Sequence, residues 1–431
     1  MGRAIGLGFG RRPGCGRPGI MSIAICLAPA RTLAYLQGGG HLWVYLQWAL
    51  GLRALGFRVV WLEGVDPRDR EHDPGQQVST LKSRLEPYGL AQSVALFSLH
   101  GEPLARDLAG RALDLEAAAE ADLLLNLSHA LPASVVSRFR RSAFVDTDPG
   151  LLQIWMTRGD VHLPRHDIYF TIGETVGTPA ARFPDCGLRW HYTPPPVFLP
   201  EWPPTPVDST APYTTVTHWW GSTFEFRGRT INEEKHVSFL EYKELPSRTP
   251  VRLELAVCLV DHHEQWRTLL EPLGWNIREA WEVSATPEQY RAYIQHSRGE
   301  FSCAKPACMT LANAWISDRT LCYLASGKPA VVQHTGRSRF LPDAAGLFRF
   351  RSLEEAARAL FAAESDYERH SRLARQLAEQ FDARHVVARV LERALAVQPA
   401  GRGSRSGGGM GRRGRVVNEP MRRQEGKELG G

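Results

Sequence analysis

No apolar run in the chain reaches the roughly 18 residues that a membrane-spanning helix needs. Cysteine is sparse and scattered: positions 15, 26, 186, 258, 303, 308 and 322 form no Cys-x-x-Cys pair and no metal-ligand spacing. An odd, dispersed set in a chain of this length predicts reduced thiols and a cytoplasmic setting. There is no Gly-x-Ser-x-Gly elbow, no short repeat of fixed period, and no apolar stretch behind the N-terminal arginines that reads as a signal peptide. Basic charge is missing where a nucleic-acid-binding face needs it. The first twenty residues carry four Arg and no acid, and residues 401–431 carry eight Lys/Arg against three Asp/Glu, so the net charge of +6 leaves the body, 21–400, at −3. A mildly acidic body argues against nucleic acid as a partner. For the basic ends two readings stand: solvated tails, or a peripheral contact with phosphates or lipid headgroups at the membrane surface.

What is there is a globular composition, 43% hydrophobic and 23% charged, in 431 residues, too many for a single core. The twelve Trp read mainly as core, with the lining of sugar sites as their other use. Met21 directly precedes the first strand-like run, so 1–20 is expected to be a disordered or extraneous extension, with translation starting at Met1 or at Met21. SIAICLA (22–28), a loop ending Gly38-Gly39-Gly40-His41, the helical pattern LWVYLQWALGLRAL closed by Gly56, and FRVVWLE ending at Glu63 open a doubly wound parallel sheet. ADLLLNLS (121–128), SAFVDTDPG (142–150) and HDIYFTIGE (166–174) continue it. Proline then crowds 194–206 and excludes helix and central strand. The expected organisation is a first domain at 21–200, a Pro-rich linker at 201–211, a second domain at 212–396 and a disordered basic tail at 397–431. The second domain draws its strands from YTTVTHWW (213–220), VRLELAVCLV (251–260), GEFSCAK (299–305) and PAVVQ (329–333), with helices near 286–296 and throughout 353–396.

A glycine-rich turn between strand and helix often cradles phosphate, and Glu63 lies where a dinucleotide fold keeps its ribose ligand. The third glycine of that fingerprint, however, falls at Trp43, whose indole blocks the close packing the glycine permits. In the second half, GEFSCAKPACMTLANAWISDRTLCYLASGKPAVVQHTG reads as a strand, a loop running to Trp315, a helix capped by Ser317 or Asp318, and a buried strand after Gly327 and Pro329. His334-Thr335-Gly336 is the turn at that strand's carboxyl end, where parallel sheets bind ligands. A helix start with free N–H groups and Arg319 beside it predicts a diphosphate site.

ASGKPAVV (325–332) and the phrase LRALGFRVVWLE (52–63) resemble the two halves of GT-B glycosyltransferases. More narrowly, FVDTDPG (144–150), IGE (172–174), EFSCAK (300–305), SDR (317–319) and YLASGKP (323–329) resemble strings of bacterial GT-B-like glycosyltransferases. The resemblance implies two Rossmann-like α/β domains facing across a cleft, the first holding an acceptor and the second a nucleotide-sugar donor. It implies that Gly39, Gly40 and His41 line the acceptor side, with His41 as the base for the acceptor hydroxyl; capping or packing of the following helix is the other role open to His41. Ser317, Asp318 and Arg319, with Thr335 and Gly336, form the expected donor site, a helix-capping salt bridge being the other role open to Asp318 and Arg319; Lys305 is the cation that neutralises the leaving diphosphate, or else a solvated loop lysine. Asp146 and Asp148 are candidates for acceptor hydroxyls, with a turn-capping role as the alternative for Asp148. Glu174 is a further polar candidate.

One departure stands out. Many GT-B enzymes place a Glu five residues before the helix-ending glycine; here that position is Cys322, and Asp318 or Glu300 is expected to replace it. Asp261-His262-His263-Glu264 looks metal-like, but adjacent histidines diverge and no third ligand stands at a recognised offset, so no metal is expected. The expected activity is metal-independent transfer of a sugar from a nucleotide-activated donor to an acceptor hydroxyl, with no cofactor besides that co-substrate. A nucleotide-sugar epimerase on the same fold, and a binding protein that has lost the chemistry, are the alternatives.

Overall fold

The computed structural model describes residues 23–69, 72–258 and 263–398. The 1–20 extension, most of the basic tail, and Asp261 and His262 lie outside the described residues, as do the side chains of His263 and Glu264. Seven strands form the first sheet: β1 (Ala24–Ala28), β2 (Arg58–Val65), β3 (Val94–Ser98), β4 (Leu123–Asn126), β5 (Ser142–Asp146), β6 (Ile168–Thr171) and β7 (Trp190–Tyr192). They pair in parallel in the order β3-β2-β1-β4-β5-β6-β7. Every residue of β1 and β4 is buried, which is why these strands read as unbroken apolar runs and not as alternating ones.

The second sheet begins with β8 (Tyr213–His218). A two-stranded hairpin of β9 (Thr223–Phe226) and β10 (Arg229–Asn232) follows. The sheet then resumes with β11 (Leu253–Cys258), β12 (Trp275–Glu279), β13 (Gly299–Ser302), β14 (Ala330–Gln333) and β15 (Leu347–Phe350). Its order, β12-β11-β8-β13-β14-β15, repeats the first lobe's arrangement: the first strand lies centrally between the second and the fourth. Both sheets therefore reverse direction at one point, β1/β4 in one lobe and β8/β13 in the other, and each reversal opens a crevice at the carboxyl ends of its strands. The expected pair of doubly wound α/β lobes is what the structure has.

Local details depart from the sequence reading. The stretch before Trp315 contains a short helix, Pro306–Leu311, started by Pro306. The hairpin β9–β10 and the helix α2 (Pro74–Leu85, following α1 at Gly39–Ala54) were not among the expected elements. The proline-rich run forms no helix or regular strand, as its missing donors require, but it contributes a 3-10 turn at Leu199–Glu201 and a bridge from Val197 to Asp382, and it buries Val197 and Trp202 in the core.

The lobes are joined by more than the chain that links them. The last helix, Ala383–Ala396, returns to α1, where Gly51 lies so close that an added Cβ would sit 3.0 Å from both Ala383 and Val387. Trp43 Nε1 donates to the Pro287 carbonyl at 2.8 Å, and Asn313 Nδ2 to that of Pro149 at 2.9 Å. At the start of α1, a Cβ on Gly39 would stand 2.1 Å from the Thr286 carbonyl oxygen, so only glycine lets the backbones meet. Among the described residues no helix is long and apolar enough to cross a membrane.

Gly39→Ala is accordingly expected to lower the unfolding free energy by about 1–3 kcal/mol, the range for forcing atoms into a packed contact. Urea denaturation of the two proteins side by side measures it; equal midpoints would show that the lobes do not need this approach.

Candidate functional site

The loop leaving β1 is fixed from beneath by Glu63. Its carboxylate accepts from the Thr32 hydroxyl and, at 2.9 Å, from Trp61 Nε1, and from the backbone amides of Leu33 and Thr32. Burial nonetheless pushes Glu63 up to about 7. The residue that a dinucleotide fold would spend on a ribose here holds a cleft loop. His41, in the first turn of α1, donates Nε2–H to the Ala30 carbonyl at 2.7 Å; a carbonyl only accepts, so the proton is on Nε2. Burial lowers the imidazole's pKa, which leaves a neutral ring with a lone pair on Nδ1. Tyr35 and Tyr45 flank it at centroid distances of 5.3 and 5.2 Å.

In the second lobe the Asp318–Ala325 helix starts at the carboxyl ends of the strands, with Ser317 Oγ accepting from the Arg319 amide at 3.2 Å. Arg319 is 7% exposed and largely spoken for. Nε donates to Glu300 Oε1 at 2.8 Å, Nη1 to the Val216 carbonyl at 2.8 Å, and Nη2 to Ser302 Oγ at 2.5 Å. The guanidinium thus ties β8 and β13 to the helix start while one edge of it still lines the cleft. Glu300, 0% exposed, is its counter-ion and has no surface for a ligand.

The sequence reading missed the most unusual cation. Lys235 follows the β9–β10 hairpin, is 9% exposed, and has no hydrogen-bond or ion-pair partner among the described residues. Desolvation, then the charges of Arg319 and Lys305, push it down to about 7. His218 is pushed down to about 3, first by burial and then by Lys235 and Lys305. Lys305 pairs with Glu233 at 3.4 Å; burial works against its charge, but Asp148 of the opposite lobe and then Glu233 outweigh that and raise its pKa. Asp318 faces the same cleft, and burial raises its carboxyl above the usual range despite Arg319 and Lys235. A clue to Lys235 existed in the text: a lysine behind THWW, downstream of a strand's carboxyl end.

Not every expected site residue reaches the cleft. Asp146 is 0% exposed and accepts from Thr171 Oγ1, Gln153 Nε2 and the Asp148 amide, each at 2.9 Å, so it shapes the strand end and offers no oxygen to an acceptor. Burial, the largest influence on it, pushes it up to about 7. Thr335 and Gly336 hold the loop before Ser317: Thr335 Oγ1 donates to the Trp315 carbonyl at 2.5 Å, and Gly336, at φ +137°, passes against the Ala312 backbone. Glu174 anchors Ser338 and Arg339 across the lobes at 2.6 and 2.8 Å. Gly39 and Gly40 serve the lobe contact, Gly40 lying under the Tyr290 ring and also lining the cleft. Cys322 is buried against Gln47 of α1, 3.5 Å from its Nε2.

Between the lobes lies a cavity of about 1340 Å³, whose walls include Tyr35, His41, Arg84, Lys235, Trp281 and Asp318. It exceeds the roughly 300–1,000 Å³ that one small ligand fills. Among the described residues no group of three or more His, Cys, Asp or Glu is placed to hold a metal.

No protein-family model matches the chain, and no curated protein does. Solved structures do. HepE of Anabaena with UDP-glucose aligns at a TM-score of 0.53 and 14% identity, covering 86% of this chain and 99% of that one. The same protein with UDP and glucose gives 0.52 and 15% over the same shares. The pneumococcal O-GlcNAc transferase GtfA with UDP and GlcNAc gives 0.50 and 9%, covering 88% and 99%. The fold is GT-B. A likeness at such identity is one of architecture alone; the cavity itself lies at the carboxyl ends of β1 and β8, beside the two sheet reversals.

Arg319→Ala leaves Glu300 charged, buried and unpaired, and is expected to cost about 3–5 kcal/mol of unfolding free energy. Arg319→Lys, which lacks the planar fork, is expected to recover only part of it. Chemical denaturation of both variants tests this, and a loss below 1 kcal/mol (roughly a surface pair) contradicts it.

Proposed function

We propose that the protein transfers a glycosyl group from a nucleotide-activated sugar to an acceptor hydroxyl, without a metal and with no cofactor besides the donor. One observation carries this reading: a buried lysine without an anionic partner beside the start of the Asp318–Ala325 helix, opening on the inter-lobe cavity. An unpaired cation is costly to bury, and the positive end of the helix dipole adds to the potential at the same point. A diphosphate satisfies both.

In this reading the donor's diphosphate lies against Lys235 and the helix start, and Lys305 helps to stabilise the charge that grows on it as the sugar leaves. Asp318, a carboxyl in the same wall, suits ribose or sugar hydroxyls and not phosphate. His41 presents Nδ1 from the other lobe as the proton acceptor for the incoming hydroxyl. Arg319 acts mainly by holding the helix start at the strand ends. The two walls face a single cavity, which limits water as a competing acceptor. A binding protein without chemistry remains the second reading, favoured by Cys322 standing buried against Gln47 where many GT-B enzymes carry a carboxylate. Release of nucleoside diphosphate from a panel of nucleotide sugars, with cell extract as acceptor, separates the two.

UDP is the first nucleotide to try, since it is what HepE was solved with. Protonated Lys235 favours an anion, and in the free protein that proton is lost near pH 7. UDP affinity is therefore expected to be full below pH 7 and to fall above it by up to about tenfold per pH unit. Lys235→Met is expected to weaken UDP by about tenfold or more at pH 6.5 (roughly 1.4 kcal/mol) and to flatten the pH profile. Isothermal titration across pH 6–9 measures both. Unchanged affinity in the variant removes the basis of the proposal.

A further inference from the structure

The wall of the cavity opposite the helix start is built by α2. Its residues Asp73, Gln76, Gln77, Thr80 and Arg84 recur at the spacing of one helical face, and all five line the cavity. The other face is apolar, with Val78, Leu81 and Leu85 buried in the core. Two polar residues of α2 that do not line the cavity are tied to the protein: Ser79 donates to the Gly75 carbonyl at 2.8 Å and Lys82 to that of Arg111 at 2.6 Å. In contrast, the side chains of Gln76, Gln77, Thr80 and Arg84 have no hydrogen-bond partner among the described residues. Asp73 is occupied as the helix cap, accepting from the Gly75 amide at 2.8 Å.

The order of these groups has chemical content. Two amides and a hydroxyl both donate and accept, as the hydroxyls of a sugar do. The exposed ring of Tyr35, 57% accessible, stands on the same lobe's side of the cavity and offers an apolar face. Arg84, at the far end of the row, is a partly desolvated guanidinium held in no ion pair. The nearest opposing charge, Glu288, acts on it only from beyond ion-pair distance and already accepts from the Tyr88 hydroxyl at 3.1 Å. Burial lowers the Arg84 pKa for the same reason: its charge lacks compensation. From Gln77 to Arg84 the helix rises roughly 10 Å, the reach of one sugar ring with a substituent. The cavity is large enough to take a second molecule beside a donor.

Resting on the transferase reading above, we propose that the acceptor is a carbohydrate bearing an anionic group, a phosphate or a carboxylate, whose hydroxyls meet Gln76, Gln77 and Thr80 and whose charge is bound by Arg84. The donor and acceptor walls then both carry cations, but at separate places, so the two anions do not compete for one site.

The test is calorimetric titration of the UDP-saturated protein with glucose, glucose 6-phosphate and glucuronate. At least one anionic sugar is expected to bind about tenfold more tightly than glucose, and in Arg84→Gln that preference disappears while UDP affinity is kept. Preference for the phosphate alone identifies a sugar phosphate; preference for both identifies any anionic sugar. The proposal is overturned if glucose binds as well as the two anions, if the preference survives Arg84→Gln, or if none of the three binds to protein that does bind UDP. Failure of UDP itself to bind the wild-type protein overturns the donor reading instead, and this one falls with it.

Discussion

The ion pair of Arg319 and Glu300 is the interaction on which the site's geometry rests. Glu300 lies in β13, and the guanidinium reaches from the helix start to β13 and to the carbonyl of Val216 in β8. These two strands flank the point where the second sheet reverses. The pair therefore joins the crevice's floor to the start of the helix that borders it. The guanidinium is bonded through Nε, Nη1 and Nη2, whereas Glu300 accepts only through Oε1 and its buried Oε2 has no partner, so breaking the pair leaves a costly charge. The pair also concentrates positive charge where Lys235 and Lys305 add to it, and Lys235 bears the cost of that crowding.

The first lobe answers with a different device. Its cleft loop is anchored by Glu63, and its helix α1 approaches the second lobe through Gly39 with no side chain between. Trp43, the residue that rules out a dinucleotide fingerprint, has its indole N–H on the Pro287 carbonyl. One substitution relative to that fingerprint thus has two effects: it removes close packing of helix on strand and supplies a contact between lobes. The cavity is shaped by these backbone approaches as much as by the side chains in its walls.

The architecture was legible because parallel strands covered on both faces leave unbroken apolar runs, and because glycine and proline mark the ends of the helices between them. The helix start at Ser317 was legible for the same local reason. What could not be read was which polar groups turn inward. Asp146 and Asp148 alternate at a strand end, yet one is closed off by Gln153 and Thr171 while the other faces Lys305; both Gln153 and Thr171 arrive from other elements. Thr335 and Gly336 sit at a strand's carboxyl end as expected, but a neighbouring loop covers them. Lys235 is marked only by its place downstream of THWW, and Arg84 carries no motif at all. Their significance comes from being desolvated without a partner, a property of the packed structure and not of any window of sequence.

The two walls differ in how far their side chains are committed before a ligand arrives. On the wall proposed for the donor, Arg319 is locked by Glu300, Ser302 and Val216, and the helix start is fixed by the backbone; such a wall suits a group that varies little between ligands, as a diphosphate does. On the α2 side Gln76, Gln77, Thr80 and Arg84 are unengaged, so they still have rotamers to lose on binding, at about 0.5–1.5 kcal/mol for each side chain immobilised. A wall of that kind gains affinity only from a ligand that engages several of the groups at once. Under the proposed transfer, selectivity for the acceptor lies in the combination of hydroxyls and charge along one helical face, and the rigid half of the cleft holds the diphosphate.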